Sequence, residues 1–349
     1  MIDLIIELTI VVVKIIIVFG VVLFAVAYMT LAERKFSGYI QDRIGPNRAG
    51  PYGVLQPFAD FIKMLFKEEF IPDRSEKLLF FIAPAMIVIP ALSVYAVIPF
   101  GDSLNLFGRE IPLQIAEVNI GILYIFAIAS LGVYGIVLGG WSANNKYTLF
   151  GSLRSAAQMI SYELALGLSV MGVMMITGSL RLTAVVQSQT SYFLGFIPHW
   201  NVFLQPVAFI IFIVATFAET NRLPFDLIEA EQELVGGYHT EYNSIKWMLY
   251  FLSEYANVIT ASAVITTLFF GGWHLPWIEN IQMPTILLEL LQIGSFVIKT
   301  AFFSIFFIWV RWTFPRFKYN QLMNLGWKVF LPLALLNVIV TALIYIIFT

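Results

Sequence analysis

Eight long apolar runs, near residues 8–32, 78–100, 118–140, 155–180, 202–218, 247–272, 290–310 and 329–348, constrain what this 349-residue chain can fold into. A helix rising about 1.5 Å per residue needs about 20 apolar residues to cross the hydrocarbon core of a bilayer. Spanning β-strands would need alternating segments of about ten residues, and these runs do not alternate. The expectation is an all-α polytopic membrane protein with about eight transmembrane helices, forming one integral membrane domain over residues 1–349. The fifth run is the shortest, and His199 and Trp200 extend it at the interface. The first run holds Lys14, is too long for a signal-peptide core and has no small-residue cleavage site after a basic segment, so it reads as a span. No internal repeat is visible, which weighs against a transporter built from repeated halves.

Lysine and arginine orient the spans. Of the 20 basic residues, 16 lie in the first, third, fifth and seventh connections, only Arg109 and Arg181 in the even ones, and Lys14 and Lys299 inside spans. Positive charge concentrates on the cytoplasmic side, so both termini are expected on the outer, periplasmic side. The long connections 33–77 and 219–246 then face the cytoplasm or its equivalent.

Within the first of these, Gly45-Pro46-Asn47-Arg48-Ala49-Gly50-Pro51 predicts a stiff turn and lacks the spacing of a phosphate loop. From Pro57 onward, Phe58, Phe61, Ile62, Leu65 and Phe66 share one helical face, with Asp60, Lys63 and Lys67 opposite. That pattern predicts a cytoplasmic-side amphipathic helix near 57–67, lying in the interface plane. A surface anchor is the plainer reading of it, and a lintel over a lateral opening for a lipid-soluble molecule is the sharper one.

Charged residues make up 12% of the chain, about half the usual share, so their placement carries information. Glu163, Glu254 and Lys299 sit inside spans. A charge at mid-bilayer costs at least a few kcal/mol, so such groups face the bundle interior and mark ion or proton paths. A snorkelling or structurally paired role remains open, more so for Glu254 near a span end. Phe217 to Leu234 reads FAETNRLPFDLIEAEQEL, with Glu219, Asp226, Glu229, Glu231 and Glu233 opposed only by Arg222. If a helix begins near Pro224, Asp226, Glu229 and Glu233 share a face and Glu231 points away. Two carboxylates about 5 Å apart at an effective dielectric near 20 repel by about 3 kcal/mol, roughly two pKa units. One of such a pair would titrate near neutrality, as a proton relay requires. A solvated acidic loop neutralised by a partner's basic patch is the plainer alternative.

Without cysteine the chain builds no disulfide, thiolate zinc site or cysteine-ligated cluster, and His199, His239 and His274 lack metal-ligand spacing. The net charge of −2 points to no particular partner, and nucleic acid is not expected.

Two segments carry a family resemblance. AERKFSGYIQDRIGPNRAGPYGVLQPFADFIKMLFKE and FAETNRLPFDLIEAEQELVGGYHTEYNSIKWMLYFLSEY resemble the signature segments of the H subunit (subunit 1) of respiratory complex I, NADH–quinone oxidoreductase. The likeness extends over essentially the whole chain. It implies a subunit at the junction of the hydrophilic and membrane arms, forming most of a tunnel that leads quinone to an iron–sulfur cluster in a neighbouring subunit. It assigns Glu33, Arg34, Lys35, Phe58, Phe61, Ile62, Phe66 and Phe225 to the quinone channel. It assigns Glu163, Glu219, Asp226, Glu229, Glu231 and Glu233 to proton coupling. Quinone would be the substrate, with no complete catalytic site and no resident cofactor in this chain; NADH, FMN and the iron–sulfur clusters would belong to partner subunits. Those partners would be the cluster-bearing and quinone-site subunits of the hydrophilic arm and the small and antiporter-like membrane subunits. The host would be a bacterial cell inner membrane, or an organellar one. The third run, 118–140, lacks any acid, and Glu117 lies only at its outer edge, so a further relay carboxylate would come from elsewhere. The membrane anchor of a related energy-converting hydrogenase is the alternative assembly. A stand-alone secondary transporter is a third class.

Overall fold

The structure, a computed structural model, describes residues 2–106, 109–193, 195–227, 231–277 and 284–348. Its helices are α1 (Ile2–Ile40), α2 (Gln56–Leu65), α3 (Lys77–Ser93), α4 (Gly121–Ser142), α5 (Lys146–Thr177), α6 (Leu182–Ser188) and α7 (Asn201–Leu204). They continue as α8 (Pro206–Glu219), α9 (Glu231–Leu234), α10 (Ser244–Phe269), α11 (Thr285–Thr313), α12 (Tyr319–Asn324) and α13 (Leu331–Phe348). A π-helical turn over Leu325–Phe330 joins the last two into one continuous rod. Two short hairpins, β1 (Ser103–Leu106) with β2 (Arg109–Pro112) and β3 (Tyr192–Phe193) with β4 (Ile197–Pro198), lie in connections.

The chain is thus an all-α polytopic bundle, and among the described residues seven helices are long and apolar enough to cross a membrane. The fifth expected span is shorter than the rest. Its counterpart α8 has 14 residues, about 21 Å of rise. Pro206 has no N–H to continue a helix from α7, and Gln205 leaves helical geometry at φ −129°, so the two pieces stay separate. At the other end the backbone turns at Thr220 and carries Arg222 inward.

Helix α10 is the most enclosed span, while α1 and the α12–α13 rod are the least enclosed. The sequence explains the central position: Ser253, Ala256, Ala261, Ser262, Ala263, Thr266 and Thr267 are small, so neighbouring backbones approach closely. Their hydroxyls do not disturb the apolar packing, because Ser262, Thr266 and Thr267 each donate to the carbonyl four residues back. Helix α5 starts where the Asn145 side chain accepts from Tyr147 N, and it stops at Gly178, whose left-handed φ of 67° suits glycine.

Helix α2 begins with Pro57 in its first turn and packs on α1 and α10. Its far end is bolted to the start of α10. Ser244 Oγ donates to the carbonyls of Met64 and Lys67, and Lys246 Nζ lies 2.5 Å from Glu69 and 3.4 Å from the Phe81 ring centroid. At the opposite end of the bundle, Lys299 of α11 donates to the carbonyls of Phe270, Gly272 and His274 at 3.0, 3.0 and 2.7 Å. The intramembrane lysine therefore caps the loop that leaves α10.

Candidate functional site

Glu33, about two turns before the end of α1, is 4% exposed and accepts from three directions. Arg222 Nη1 donates to both its oxygens at 3.3 and 3.0 Å, Arg311 Nη1 at 2.5 Å and Tyr255 Oη at 2.6 Å. The donors come from the turn after α8, from α11 and from α10. Arg222, 3% exposed, also places Nε 2.9 Å from Glu254 Oε1, an ion pair in which the N–H is not aimed at the oxygen. Its guanidinium lies 4.2 Å from the Tyr255 ring centroid. Two carboxylates and two guanidiniums from four elements thus meet inside the bundle, which is how buried charges become tolerable. Burial by itself would push the Arg222 pKa down; Glu254 and Glu33 more than reverse this and raise it above the ordinary value. The cation is permanent.

The turn that delivers Arg222 is not a helix. Arg222 N donates to Phe217 O, Phe225 N to Arg222 O and Leu227 N to Phe225 O. The helix from Pro224 that would have set Asp226, Glu229 and Glu233 on one face does not begin within the described residues 224–227, where the backbone folds inward to bury Arg222, Phe225 and Leu227. Asp226 is buried and receives Arg316 Nη2 at 3.1 Å, whereas Glu233, in the four-residue α9, is exposed and meets Arg154 at 2.7 Å. Glu229 and the Glu231 side chain lie outside the described residues. Phe225 packs between Tyr162 and Phe317, at 5.5 and 5.4 Å between centroids, as a core residue, and it lines none of the three cavities described below.

The inner cavity, about 70 Å³ with room for a few water molecules, is lined by Glu219, Glu254, Asn221, Asn257, Ser253 and Thr260 among others. Glu219 ends α8 and is close enough to half-buried Glu163 of α5 for their charges to interact. A lateral cavity of about 390 Å³ opens between α1, α2 and α10. Its walls are apolar at Leu23, Val26, Phe61, Met64, Trp247 and Phe251 and polar at Thr30, Arg34, Asp60 and Lys63. Arg34 Nη1 donates to Asp60 Oδ2 at 2.6 Å across the gap from α1 to α2, and Gln56 Nε2 donates to Asp60 Oδ1 at 2.9 Å. A third cavity, about 370 Å³, lies under the Gly45–Pro51 turn and is lined by Lys35, Tyr39, Arg43 and Tyr52.

Successive residues of a helix diverge by about 100°, and the Glu33-Arg34-Lys35 triplet uses that divergence. Glu33 faces the ion network, Arg34 the lateral cavity and Lys35 the third cavity. Of the four apolar residues expected at an opening, Phe61 lines the lateral cavity; Phe58 sets its ring against Tyr28, and Ile62 and Phe66 point outward, with Phe66 86% exposed. Sequence reasoning missed Tyr255 and Arg311 and treated Arg222 only as the lone cation in an acidic stretch. The available signals were an intramembrane Glu-Tyr pair at 254–255 and an arginine in the last turn of a span.

Fold and site together define a polytopic helical membrane protein with a buried carboxylate–guanidinium network beside a lateral apolar cavity. The NADH dehydrogenase family profile matches residues 13–342. NADH-quinone oxidoreductase subunit 8 of Rhodothermus marinus is 51% identical over 333 residues, covering 93% of this chain and 94% of that protein. The H subunit of the NADH-quinone oxidoreductase of Flavobacterium johnsoniae is 49% identical over 333 residues, covering 94% and 93%. An H subunit of the corresponding oxidoreductase of Geobacter metallireducens is 50% identical over 328 residues, 94% of each. The chain belongs to the NADH dehydrogenase family.

Proposed function

We propose that this chain is the membrane subunit of a proton-translocating NADH:quinone oxidoreductase, forming its quinone-access chamber and the start of its proton-coupling path. The observation that carries the reading is the lateral cavity between α1, α2 and α10, whose polar rim at Arg34 adjoins the Glu33 network. A hydrocarbon tail suits Leu23, Val26, Phe61 and Phe251, while a polar head suits the Arg34–Asp60 end. The reaction is taken from the names of the relatives, which are quinone oxidoreductase subunits.

In this reading NADH, FMN and the iron–sulfur clusters belong to partner subunits of the hydrophilic arm, and quinone is the substrate. Two electrons added to a quinone create negative charge in a poorly solvated space, which draws protons strongly. Glu219 at the inner cavity, Glu163 opposite it and Asp226 beside Arg316 are the described groups placed to supply or answer that demand. Glu229, Glu231 and Glu233 belong to the same proposed path, with the small and antiporter-like membrane subunits beyond Glu163. In this reading the odd connections, rich in basic residues, face the cytoplasmic side of a bacterial inner membrane and both termini lie outside, an orientation that the charge distribution supports.

The test replaces Phe61 with Glu in the assembled complex and compares quinones with long and short tails. Phe61→Glu should slow the long-tailed substrate by about tenfold more than the short-tailed one, while Phe66→Glu, facing outward, should not discriminate between them. Equal effects on both substrates in Phe61→Glu would reduce α2 to an anchor.

A further inference from the structure

Along α10, Trp247, Phe251 and Tyr255 recur every four residues and therefore stack on one face. The Trp247 and Phe251 ring centroids are 5.0 Å apart, and those of Phe251 and Tyr255 are 4.7 Å apart. The two ends of this file face different surroundings. Trp247 and Phe251 form part of the lateral cavity wall. Tyr255, 3% exposed, gives its hydroxyl to Glu33 at 2.6 Å and its ring face to Arg222 at 4.2 Å.

Resting on the reading of that cavity as the quinone access, we propose that Tyr255 is a positioning residue that transmits occupancy of the lateral cavity to the buried ion network, with Phe251 as the intermediate contact. Packed interiors have little free volume, so a molecule pressed against Phe251 displaces the ring behind it. A hydroxyl bond is directional, so a small rotation of Tyr255 weakens its donation to Glu33. The same rotation withdraws the aromatic face from Arg222. One ring movement thus changes the surroundings of two charged groups at once. The groups facing Tyr255 are Glu33 from α1, Arg222 from the turn after α8 and Glu254 on its own helix, while Arg311 of α11 holds Glu33 independently. Arg311 therefore keeps Glu33 in place when Tyr255 moves, which makes the change a graded adjustment instead of a collapse.

The experiment is a double-mutant cycle in the assembled complex reconstituted into liposomes, with Phe251→Leu, Tyr255→Phe and both together. The readouts are kcat and KM for a long-tailed quinone and protons translocated per electron. Each single variant should lower kcat by about tenfold, the scale of one hydrogen bond to a charged group, with KM changed by no more than about twofold. The double variant should also fall by about tenfold, because both substitutions interrupt one path; independent effects would multiply to about a hundredfold. Phe251→Tyr, which keeps a ring in the file, should recover most of the loss seen with leucine. Multiplying losses, an undiminished kcat in Phe251→Leu, or a tyrosine as impaired as leucine would each overturn the proposal. Should Tyr255→Phe fail to assemble, the Phe251 pair decides alone. Indifference of Phe61→Glu to tail length would instead remove the reading of the cavity itself.

Discussion

Replacing Arg222 with methionine removes the one side chain that touches both network carboxylates, and the structure says where the cost falls. Glu33 keeps Arg311 at 2.5 Å and Tyr255 at 2.6 Å, so it remains satisfied. Glu254 loses the only ion pair it makes among the described residues. Breaking one partner out of a buried pair costs about 3–5 kcal/mol, because the other charge is left uncompensated. The loss in Arg222→Met should therefore be concentrated on Glu254, and Arg222→Met with Glu254→Gln should regain at least about 2 kcal/mol of it. The assay is the thermal inactivation half-life of the purified assembled complex, with the fraction of chain incorporated measured alongside. Arg222→Met with the parental half-life, or a double variant no better than the single, would refute the idea that Arg222 compensates Glu254.

Three further outcomes are expected. Glu163→Gln keeps the size of the side chain but removes its charge, and proton translocation per electron in the assembled complex should fall; unchanged stoichiometry would take Glu163 out of the path. Lys299→Met leaves the carbonyls of Phe270, Gly272 and His274 without their shared donor, so inactivation should accelerate by the equivalent of about 1–3 kcal/mol with translocation per electron intact. Burial lowers the His239 pKa from 6.5 to about 4, so the unfolded chain binds a proton that the folded one refuses. Stability from this group is present above pH 6.5 and is lost as pH falls towards 4, by up to about 2 kcal/mol at pH 5, and the extra acid sensitivity should be absent in His239→Phe.

Hydropathy made the spans legible because span length and local apolarity are properties of consecutive residues. It made the amphipathic α2 legible for the same reason, since Phe58, Phe61 and Ile62 repeat at helical spacing. Where α8 ends was harder: Pro206 shortens one end and the inward turn of Arg222 truncates the other, and both depend on what the rest of the bundle accommodates. The acidic stretch misled for a related reason. Carboxylates at helical spacing suggest a shared face, but Asp226 went to Arg316, 90 residues away, and Glu233 to Arg154, 79 residues away. The network itself joins Glu33 to residues 189, 222 and 278 positions further on, a separation that no local pattern encodes. The family resemblance named Glu33 and its neighbours, yet their three different directions came only from the turn of α1.

The network's composition also has a consequence for how it responds to the membrane potential. With both carboxylates ionised, Glu33 and Glu254 balance Arg222 and Arg311, and the cluster as a whole then carries no net charge. A neutral group can shift along the membrane normal without the field doing work on it. One added proton changes that: the cluster becomes a unit positive charge, for which a complete crossing of a 100 mV potential is worth about 2.3 kcal/mol. Protonation thus converts a voltage-silent assembly into one that the field can push. Any displacement of α1, α10 or α11 that accompanies it would then depend on the polarisation of the membrane as well as on pH.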